Sequence, residues 1–354
     1  MEFIKPGINI DFIGKRKLAM FFSLGMIIAT ILLLVWRNGP NYGVDFSGGI
    51  LIQAKLEQKK TPDEIRKALE AIQLHDSIIQ EFGEEGQFEY LIRVRTTDVE
   101  LAGLDMQVRQ ALIDYFGKGV EIRRVEMVGP KVGSDLRQKA LFAIFYSILF
   151  IAIYISGRFE HQWLMSIIMA LSLALVVYIA SSVGLPITWL ILLALIVTLG
   201  LCWFLRLKYA LGAIIALIHD VAITVGVFAL TDREISLSII AALLTIVGYS
   251  LNDTIVVFDR IRENLGRFHK RNFAEVMNAS INETLSRTIL TSTTTLVVVI
   301  ALVVLGGGVI HDFAFALLIG VIVGTYSSIF VASPILLIWQ RRFSSNSNSS
   351  KGSR

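Results

Sequence analysis

The sequence predicts an α-helical polytopic membrane protein with about eight transmembrane helices and one water-exposed α+β domain. The first observation is composition: 54% of the 354 residues are apolar and only 18% are charged, which is too apolar for an ordinary soluble protein. The second is a series of eight apolar stretches, because roughly 20 apolar residues in a helix span a bilayer. The third is a single long polar segment, residues 37–139.

The eight apolar stretches are residues 18–36, 140–156, 163–183, 187–205, 209–230, 235–258, 288–305 and 313–339. Lys15, Arg16 and Lys17 precede the first stretch and imitate the charged start of a signal peptide. No small-residue cleavage site follows, so we expect this stretch to be retained as a transmembrane helix. Gly320 and Gly324 in the last stretch form a small-xxx-small pair, which predicts a close approach of two helices.

The positions of basic residues predict the orientation in the membrane. With residues 1–17 in the cytoplasm, the short outer loops carry only Arg233, whereas the short inner loops carry Arg158, Arg206, Lys208, Arg260, Arg262, Arg267, Lys270, Arg271 and Arg287. This asymmetry follows the positive-inside rule. It makes residues 259–287 a cytoplasmic loop and returns residues 340–354 to the cytoplasm, as a tail whose Ser- and Asn-rich composition predicts disorder.

The residue pattern of the polar segment predicts the order strand, helix, strand, strand, helix, strand. The predicted strands are residues 49–56, 77–82, 88–94 and 120–128, and the predicted helices are residues 61–74 and 104–116. Thr61, Pro62 and Glu64 form a capping-box pattern at the start of the first helix. The order matches the split βαβ unit of ferredoxin-like domains. Such a fold does not decide function, so the domain is either an anchor or a docking or substrate-handling module.

Ionisable residues inside apolar stretches are the strongest functional signal, because a charge at the bilayer centre costs roughly 2.5–3.5 kcal/mol. His219 and Asp220 lie near the middle of the fifth stretch, and Asp253 lies inside the sixth beside Asn252. Arg287 opens the seventh. These residues are candidates for a proton relay.

Helical spacing places the candidates on defined faces. Tyr249, Asn252 and Asp253 are spaced i, i+3, i+4 and share a face, as do Arg287 and Thr291. Asp253 and Arg287 are expected at similar depth, where the low dielectric would couple them strongly. A guanidinium that approaches or leaves a buried carboxyl changes its proton affinity. The hypothesis is a relay built from Asp253, Arg287, Asp220, Asn252 and Thr291.

Structural interpretations of the same residues stay open. Asp253 and Asp220 are then hydrogen-bonded within the bundle, and Arg287 extends to the cytoplasmic interface. Asp312, at the outer end of the last stretch, is favoured as a helix cap. The histidines lack metal-ligand spacing, which predicts no metal site, and no nucleophile elbow or P-loop indicates an enzyme. The single cysteine, Cys202, excludes an intramolecular disulfide.

Six segments together resemble the SecD/SecF family of protein-export membrane proteins, within the resistance-nodulation-division superfamily. They are residues 43–49, 128–133, 212–220, 247–264, 286–289 and 324–328. The Asn252-Asp253 pair is similar to the SecF branch rather than the SecD branch. The resemblance carries the family signature onto Asp45, Gly48, Gly49, Tyr249, Asp259, Arg260 and Tyr326.

The resemblance implies an accessory subunit of the Sec translocase in the bacterial inner membrane, surrounded by membrane lipids, with residues 37–139 in the periplasm. It implies SecD and the SecYEG channel as partners, a translocating unfolded polypeptide as substrate, and the proton motive force as energy source, with no cofactor and no nucleic acid. Asp253 then matches the family's proton-carrying aspartate and Arg287 its functional arginine.

The chain departs from the family in one respect, because the family has six spans. Residues 163–205 are an additional, nearly uncharged hairpin between the second and third family spans, which we expect at the periphery, facing lipid or a partner. Two other functions stay open: a non-transporting scaffold of the translocase, and a proton-coupled exporter of lipids or small molecules.

Overall fold

The computed structural model describes residues 8–72, 74, 77–82, 86–94, 103–117, 119–160, 163–185, 187–268 and 271–340. The strands are β1 Gly49–Leu56, β2 Ile78–Phe82, β3 Glu89–Val94 and β4 Val120–Val128. The helices are α1 Arg16–Trp36, α2 Val44–Ser47, α3 Pro62–Glu70, α4 Leu104–Phe116, α5 Pro130–Glu160, α6 Trp163–Ser182, α7 Ile187–Phe204, α8 Lys208–Leu230, α9 Leu237–Arg267, α10 Phe273–Leu305 and α11 Gly307–Ser327.

Seven helices within the described residues are long and apolar enough to cross a membrane: α1, α5, α6, α8, α9, α10, and α11 together with its continuation to Gln340. The eighth predicted span corresponds to α7. Its fully described part, Trp189–Phe204, is apolar but shorter than the other seven. The chain is therefore a polytopic α-helical protein in which seven of the eight expected spans satisfy length and composition.

The helices extend beyond the apolar stretches. The segment 259–287, expected as a cytoplasmic loop with surface helix in parts of it, is largely helical, since α9 continues to Arg267 and α10 begins at Phe273. The side chain of Asn272 accepts a hydrogen bond from the backbone of Ala274 and caps α10. The apolar stretches end where charged residues begin, but the hydrogen-bonded helices continue beyond them. The predicted tail, residues 340–354, lies outside the described residues apart from Gln340.

The polar segment forms a four-stranded antiparallel sheet of order β2-β3-β1-β4. β1 is central, and Ile52 faces Ile92 on one side and Val125 on the other. Buried side chains of α3 and α4, including Leu69 and Leu112, complete its core.

The predicted capping box at the start of α3 is confirmed. Thr61 Oγ1 accepts from the Glu64 amide at 3.3 Å, and Glu64 Oε2 accepts from the Thr61 amide at 2.7 Å. The Glu64 carboxyl accepts hydrogen bonds from both the backbone and the hydroxyl of Thr61, and these hold its pKa below the usual value. The local sequence therefore sets the start of this helix.

The helical bundle is centred on α8, α9 and α11. The predicted glycine pair lies at the α9–α11 contact, where a Cβ on Gly324 would stand 2.9 Å from the Cβ of Ser250. The absence of a side chain at Gly324 lets the two helices pack closely.

α11 ends in a π-helical turn, Ser328–Ala332. After this turn, the Ser333 hydroxyl donates to the Ser328 carbonyl at 3.0 Å.

The hairpin of α6 and α7 packs against α5. Phe145 and Leu149 of α5 form a small cluster with Leu173 and Ala194. Cys202 is buried, with its sulfur 3.7 Å from that of Met169. The opposite face is exposed, with Leu171 at 66% and Tyr178 at 71%. The hairpin is thus peripheral and presents apolar side chains outward.

Candidate functional site

The predicted relay residues of α9 lie where this helix meets α10 and α11. Asp253 is buried, with only 3% of the residue exposed. Tyr249 is half-buried, and Asn252 is exposed. One helix face thus presents a buried carboxyl and an exposed amide side by side.

Asp253 contacts a hydroxyl group of α10, which in turn contacts a hydroxyl group of α11. Its Oδ2 accepts from the Ser292 hydroxyl of α10 at 3.5 Å. The Ser292 oxygen lies 2.7 Å from Thr325 Oγ1 of α11, and Thr325 donates to the Val321 carbonyl. Among the described residues, this long hydrogen bond is the one that Asp253 receives. Burial disfavours the charged form of a carboxyl that lacks close donors.

Arg287 does not bind Asp253. It forms no ion pair with any described residue and its side chain is exposed. Ser292, the α10 residue that reaches Asp253, lies about 7.5 Å further along the helix axis. Between them the Thr288 hydroxyl is buried and has no hydrogen-bond partner among the described residues. Among the described residues this conformation has no ion pair between Arg287 and Asp253, and the coupling of the two residues stays a prediction.

Arg287 instead lines a polar cleft between α5, α9 and α10. The cleft has a volume of about 600 Å³ and is also lined by Asn252, Asp259 and Glu283. Thr291 faces its own helix, since its hydroxyl donates to the carbonyls of Arg287 and Thr288. Asn252 and Arg287 therefore share one cleft, and Asp253 lies on the adjoining side of α9.

The family-signature residues Asp259 and Arg260 form ion pairs at the mouth of this cleft. Arg158 of α5 binds Asp259 at 2.6 Å. Arg260 binds Glu263 at 2.7 Å and Glu283 of α10 at 2.5 Å. These pairs connect α5, α9 and α10 where they leave the apolar region.

Asp220 forms a separate, densely hydrogen-bonded cluster. Its Oδ2 accepts from the Ser250 hydroxyl at 2.5 Å and the Ser327 hydroxyl at 2.8 Å. Its Oδ1 lies 2.9 Å from His219 Nδ1. All four residues are at most 2% exposed. Asp220 thus joins α8, α9 and α11, and this agrees with the interpretation in which Asp220 is hydrogen-bonded within the bundle.

Tyr326 extends this cluster to α1. Its ring stacks on the His219 imidazole at 6.1 Å between centroids. Its hydroxyl donates to the Ala19 carbonyl at 2.8 Å and lies 3.0 Å from the Ser23 hydroxyl. This signature tyrosine attaches the otherwise exposed first helix to the bundle.

The signature residues Asp45 and Gly48 lie at the end of the bundle next to the sheet domain. Asp45 Oδ2 accepts from the amide of Leu237, the first residue of α9, at 2.8 Å. Gly48 has φ +73°, and a Cβ there would stand 2.8 Å from the Cα of Pro130, so the close contact between α2 and α5 requires glycine.

Two outcomes differ from sequence expectations. Asp312 does not cap α11, because that helix begins at Gly307; its carboxylate binds Arg233 instead. Sequence analysis also missed Ser250, Ser292 and Ser327 as partners of the two buried carboxyls. Their one sequence signal is a small hydroxyl inside an apolar stretch, which on its own names no partner.

Comparisons with known proteins place these features in a family. A model described as protein export membrane protein SecD/SecF, C-terminal, matches residues 107–202 and 188–342. A SecD/SecF GG motif model matches residues 34–60. Protein translocase subunit SecF of Calditerrivibrio nitroreducens is 41% identical over 96% of both chains. The chain belongs to the SecF family. SecF of Magnetococcus marinus is 42% identical over 96% of this chain and 94% of its own length.

Solved structures of SecDF share the fold of this SecF-family chain. SecDF of Thermus thermophilus, described as a translocon-associated membrane protein, is 30% identical with a TM-score of 0.67. That match covers 95% of this chain and 39% of the SecDF chain. A SecDF structure in a super-membrane-facing form gives 29% identity and a TM-score of 0.58. This chain therefore spans about two fifths of those SecDF chains.

Proposed function

We propose that this chain is an accessory subunit of the Sec translocase that uses the proton motive force to promote late steps of polypeptide translocation across the inner membrane. The observation that carries the proposal is Asp253, a carboxyl that is 3% exposed and receives one hydrogen bond of 3.5 Å. In a SecF-family chain, a weakly solvated acid at the junction of three helices is suited to gain and lose a proton.

The proposal includes partners and orientation. This chain matches about two fifths of the solved SecDF chains, which supports SecD as a partner, and the pair acts at the SecYEG channel on an unfolded polypeptide. The positive-inside asymmetry supports cytoplasmic termini and a periplasmic segment 37–139. The β-α-β-β-α-β order supports a ferredoxin-like domain. α7 is the eighth span, and α6 and α7 are an inserted hairpin.

The geometry supports a defined route for the proton. Asp253 accepts a proton that originates on the outer side. The proton is then released from Asp253 into the polar cleft of about 600 Å³ that Asn252 and Arg287 line. Arg287 has no ion pair to break among the described residues, so its guanidinium is able to approach the carboxyl and favour the ionised form. The proton gradient is the energy source, and no cofactor takes part.

The decisive experiment replaces Asp253→Asn, which keeps the side-chain shape and removes the titratable group. We expect proton-gradient-dependent stimulation of export to be lost while the protein accumulates normally with SecD. The measurement is translocation of a secretory protein with and without a protonophore. The matched control is Asp114→Asn, the same chemical change at an exposed site on α4.

Normal stimulation in the Asp253→Asn variant would contradict the proposal. If charge-neutralising changes at both Asp253 and Arg287 were silent while deletion of the chain impaired export, the protein would act as a scaffold.

A further inference from the structure

The outer turn between α8 and α9, residues 231–236, binds the sheet domain through a partly buried ion pair. Arg93 of β3 contacts the Glu234 carboxylate, and their side chains are only 12% and 11% exposed. The pair borders a polar cleft of about 580 Å³ between the sheet and the outer helix ends. Removing one member of a buried pair leaves the other charge uncompensated, so this contact favours one relative placement of the sheet and the turn.

Residues 41–45 hold the same turn and the start of α9 together. The Ile235 amide donates to the Asn41 carbonyl at 2.8 Å, and the Gly43 amide donates to the Ile235 carbonyl at 2.9 Å. Asp45 accepts from the Leu237 amide, and a carboxylate at this position stabilises a helix N-terminus. Glu234 therefore moves with α9 rather than as part of an independent loop.

α9 connects this turn to the proposed proton site. The helix is continuous from Leu237 to Arg267, and Asp253 lies about 24 Å along its axis from Leu237. A shift of α9 at Asp253 therefore displaces Glu234 as well. Among the described residues, Arg93–Glu234 is the ion pair that joins a strand of the sheet to the helical bundle.

We propose that the Arg93–Glu234 ion pair transmits the movement of α9 to the outer domain, which makes both residues positioning residues for proton-driven export. This inference rests on the proposed function. The sheet then follows α9 during each proton cycle, and the cleft beside the pair changes shape on the outer side of the membrane. The chain connections of the domain run to α1 and α5 and leave α9 free of a covalent link to the sheet.

The experiment compares Arg93→Glu, Glu234→Arg and the double variant that exchanges the two charges. Each single variant should lower proton-gradient-dependent stimulation by about fivefold or more, as for an ordinary coupling between two sites. Export in the presence of a protonophore should not change. The double variant should recover most of the stimulation. Arg66→Glu, which breaks the Arg66–Asp63 pair on the surface of α3, is the matched control and should behave as wild type.

A covalent link provides an independent test if the charge variants accumulate poorly. Arg93→Cys and Glu234→Cys are combined in a Cys202→Ala chain and joined with a short bis-maleimide. The linked protein should retain stimulation, and the unlinked protein should lose it.

Wild-type stimulation in both single variants, or an unlinked cysteine pair as active as the linked one, would overturn the inference. Asp253→Asn measured in the same assay separates the two proposals. If stimulation is lost in Asp253→Asn but normal in the Arg93 variants, only the transmission role is contradicted. Normal stimulation in Asp253→Asn would contradict the proposed function itself.

Discussion

Asp220 and Asp253 lie on neighbouring helices and are both buried, but their surroundings differ. Asp220 has two serine hydroxyls and an imidazole within 2.9 Å, whereas Asp253 has one hydroxyl at 3.5 Å. Close hydrogen-bond donors hold a carboxyl group in place. The proton affinity of a carboxyl without them depends on the charges and dipoles that approach it. Asp220 therefore joins three helices through hydrogen bonds, whereas the weaker contacts of Asp253 support its proposed role in proton exchange.

This division predicts opposite effects of substitution at Asp220. Asp220→Ala leaves the Ser250 hydroxyl without an acceptor and the Ser327 hydroxyl with the Gly324 carbonyl alone, so we expect a loss of about 1–3 kcal/mol in the free energy of unfolding in detergent. Asp220→Asn keeps an acceptor oxygen and should retain proton-dependent export. Loss of stimulation in a stable Asp220→Asn variant would instead make Asp220 part of the relay.

Sequence reasoning found the buried acids and missed their partners for one physical reason. A carboxyl in an apolar stretch is costly and therefore conspicuous. Ser250, Ser292 and Ser327 are small and inexpensive to bury, and their roles depend on which helices pack together. The position of Arg287 also depended on packing, because similar depth along two helices does not fix the direction of a long side chain.

At the level of elements, the close contact between α9 and α11 determines which residues meet at both acids. Gly324 packs against Ser250, the serine that binds Asp220. The next residue, Thr325, contacts the Ser292 hydroxyl that reaches Asp253. The same helix contact therefore serves both clusters.

A side chain at this contact should be costly. We expect Gly324→Val to lower the free energy of unfolding by about 1–3 kcal/mol, because the helices must separate to make room. Gly248→Ala is the matched control, since a Cβ at Gly248 has no atom within 4 Å. It should be neutral or stabilising. Equal unfolding transitions for the two variants, measured in detergent, would show that the close contact is not required.

The elements were predictable where local chemistry sets them. β1, β4 and α4 begin and end at the expected residues, because alternation and helical spacing extend over their whole length. The end of α9 and the start of α10 were not predictable from hydropathy, since the charged turns there are helical outside the apolar stretches. Asp312 was misassigned because α11 begins at glycine, with no side-chain cap.

For the whole molecule, the number of spans depends on α7. Seven helices satisfy length and composition, and the described part of α7 is shorter. If the α6–α7 hairpin crosses the membrane twice, the connection near Val183 lies on the outer side and the orientation of α8 to α11 is unchanged.

A cysteine at the hairpin tip tests this arrangement. Val183→Cys in a Cys202→Ala chain should react with a membrane-impermeant maleimide in intact cells whose outer membrane has been permeabilised, because Val183 is 75% exposed. Labelling that occurs only in inverted membrane vesicles would place the tip in the cytoplasm and would exclude an inserted pair of spans.

The π-helical turn after α11 sets the rotational phase of the chain's last helical segment. It accommodates one extra residue, and each residue in a helix turns the following side chains by about 100°. Ser327, before the turn, points to Asp220, whereas Trp339, after it, packs against Trp203 of α7 at 4.5 Å between ring centroids. Loss of one residue from this turn would leave Ser327 in place but rotate Trp339 away from Trp203, together with the buried core residues Leu336 and Leu337.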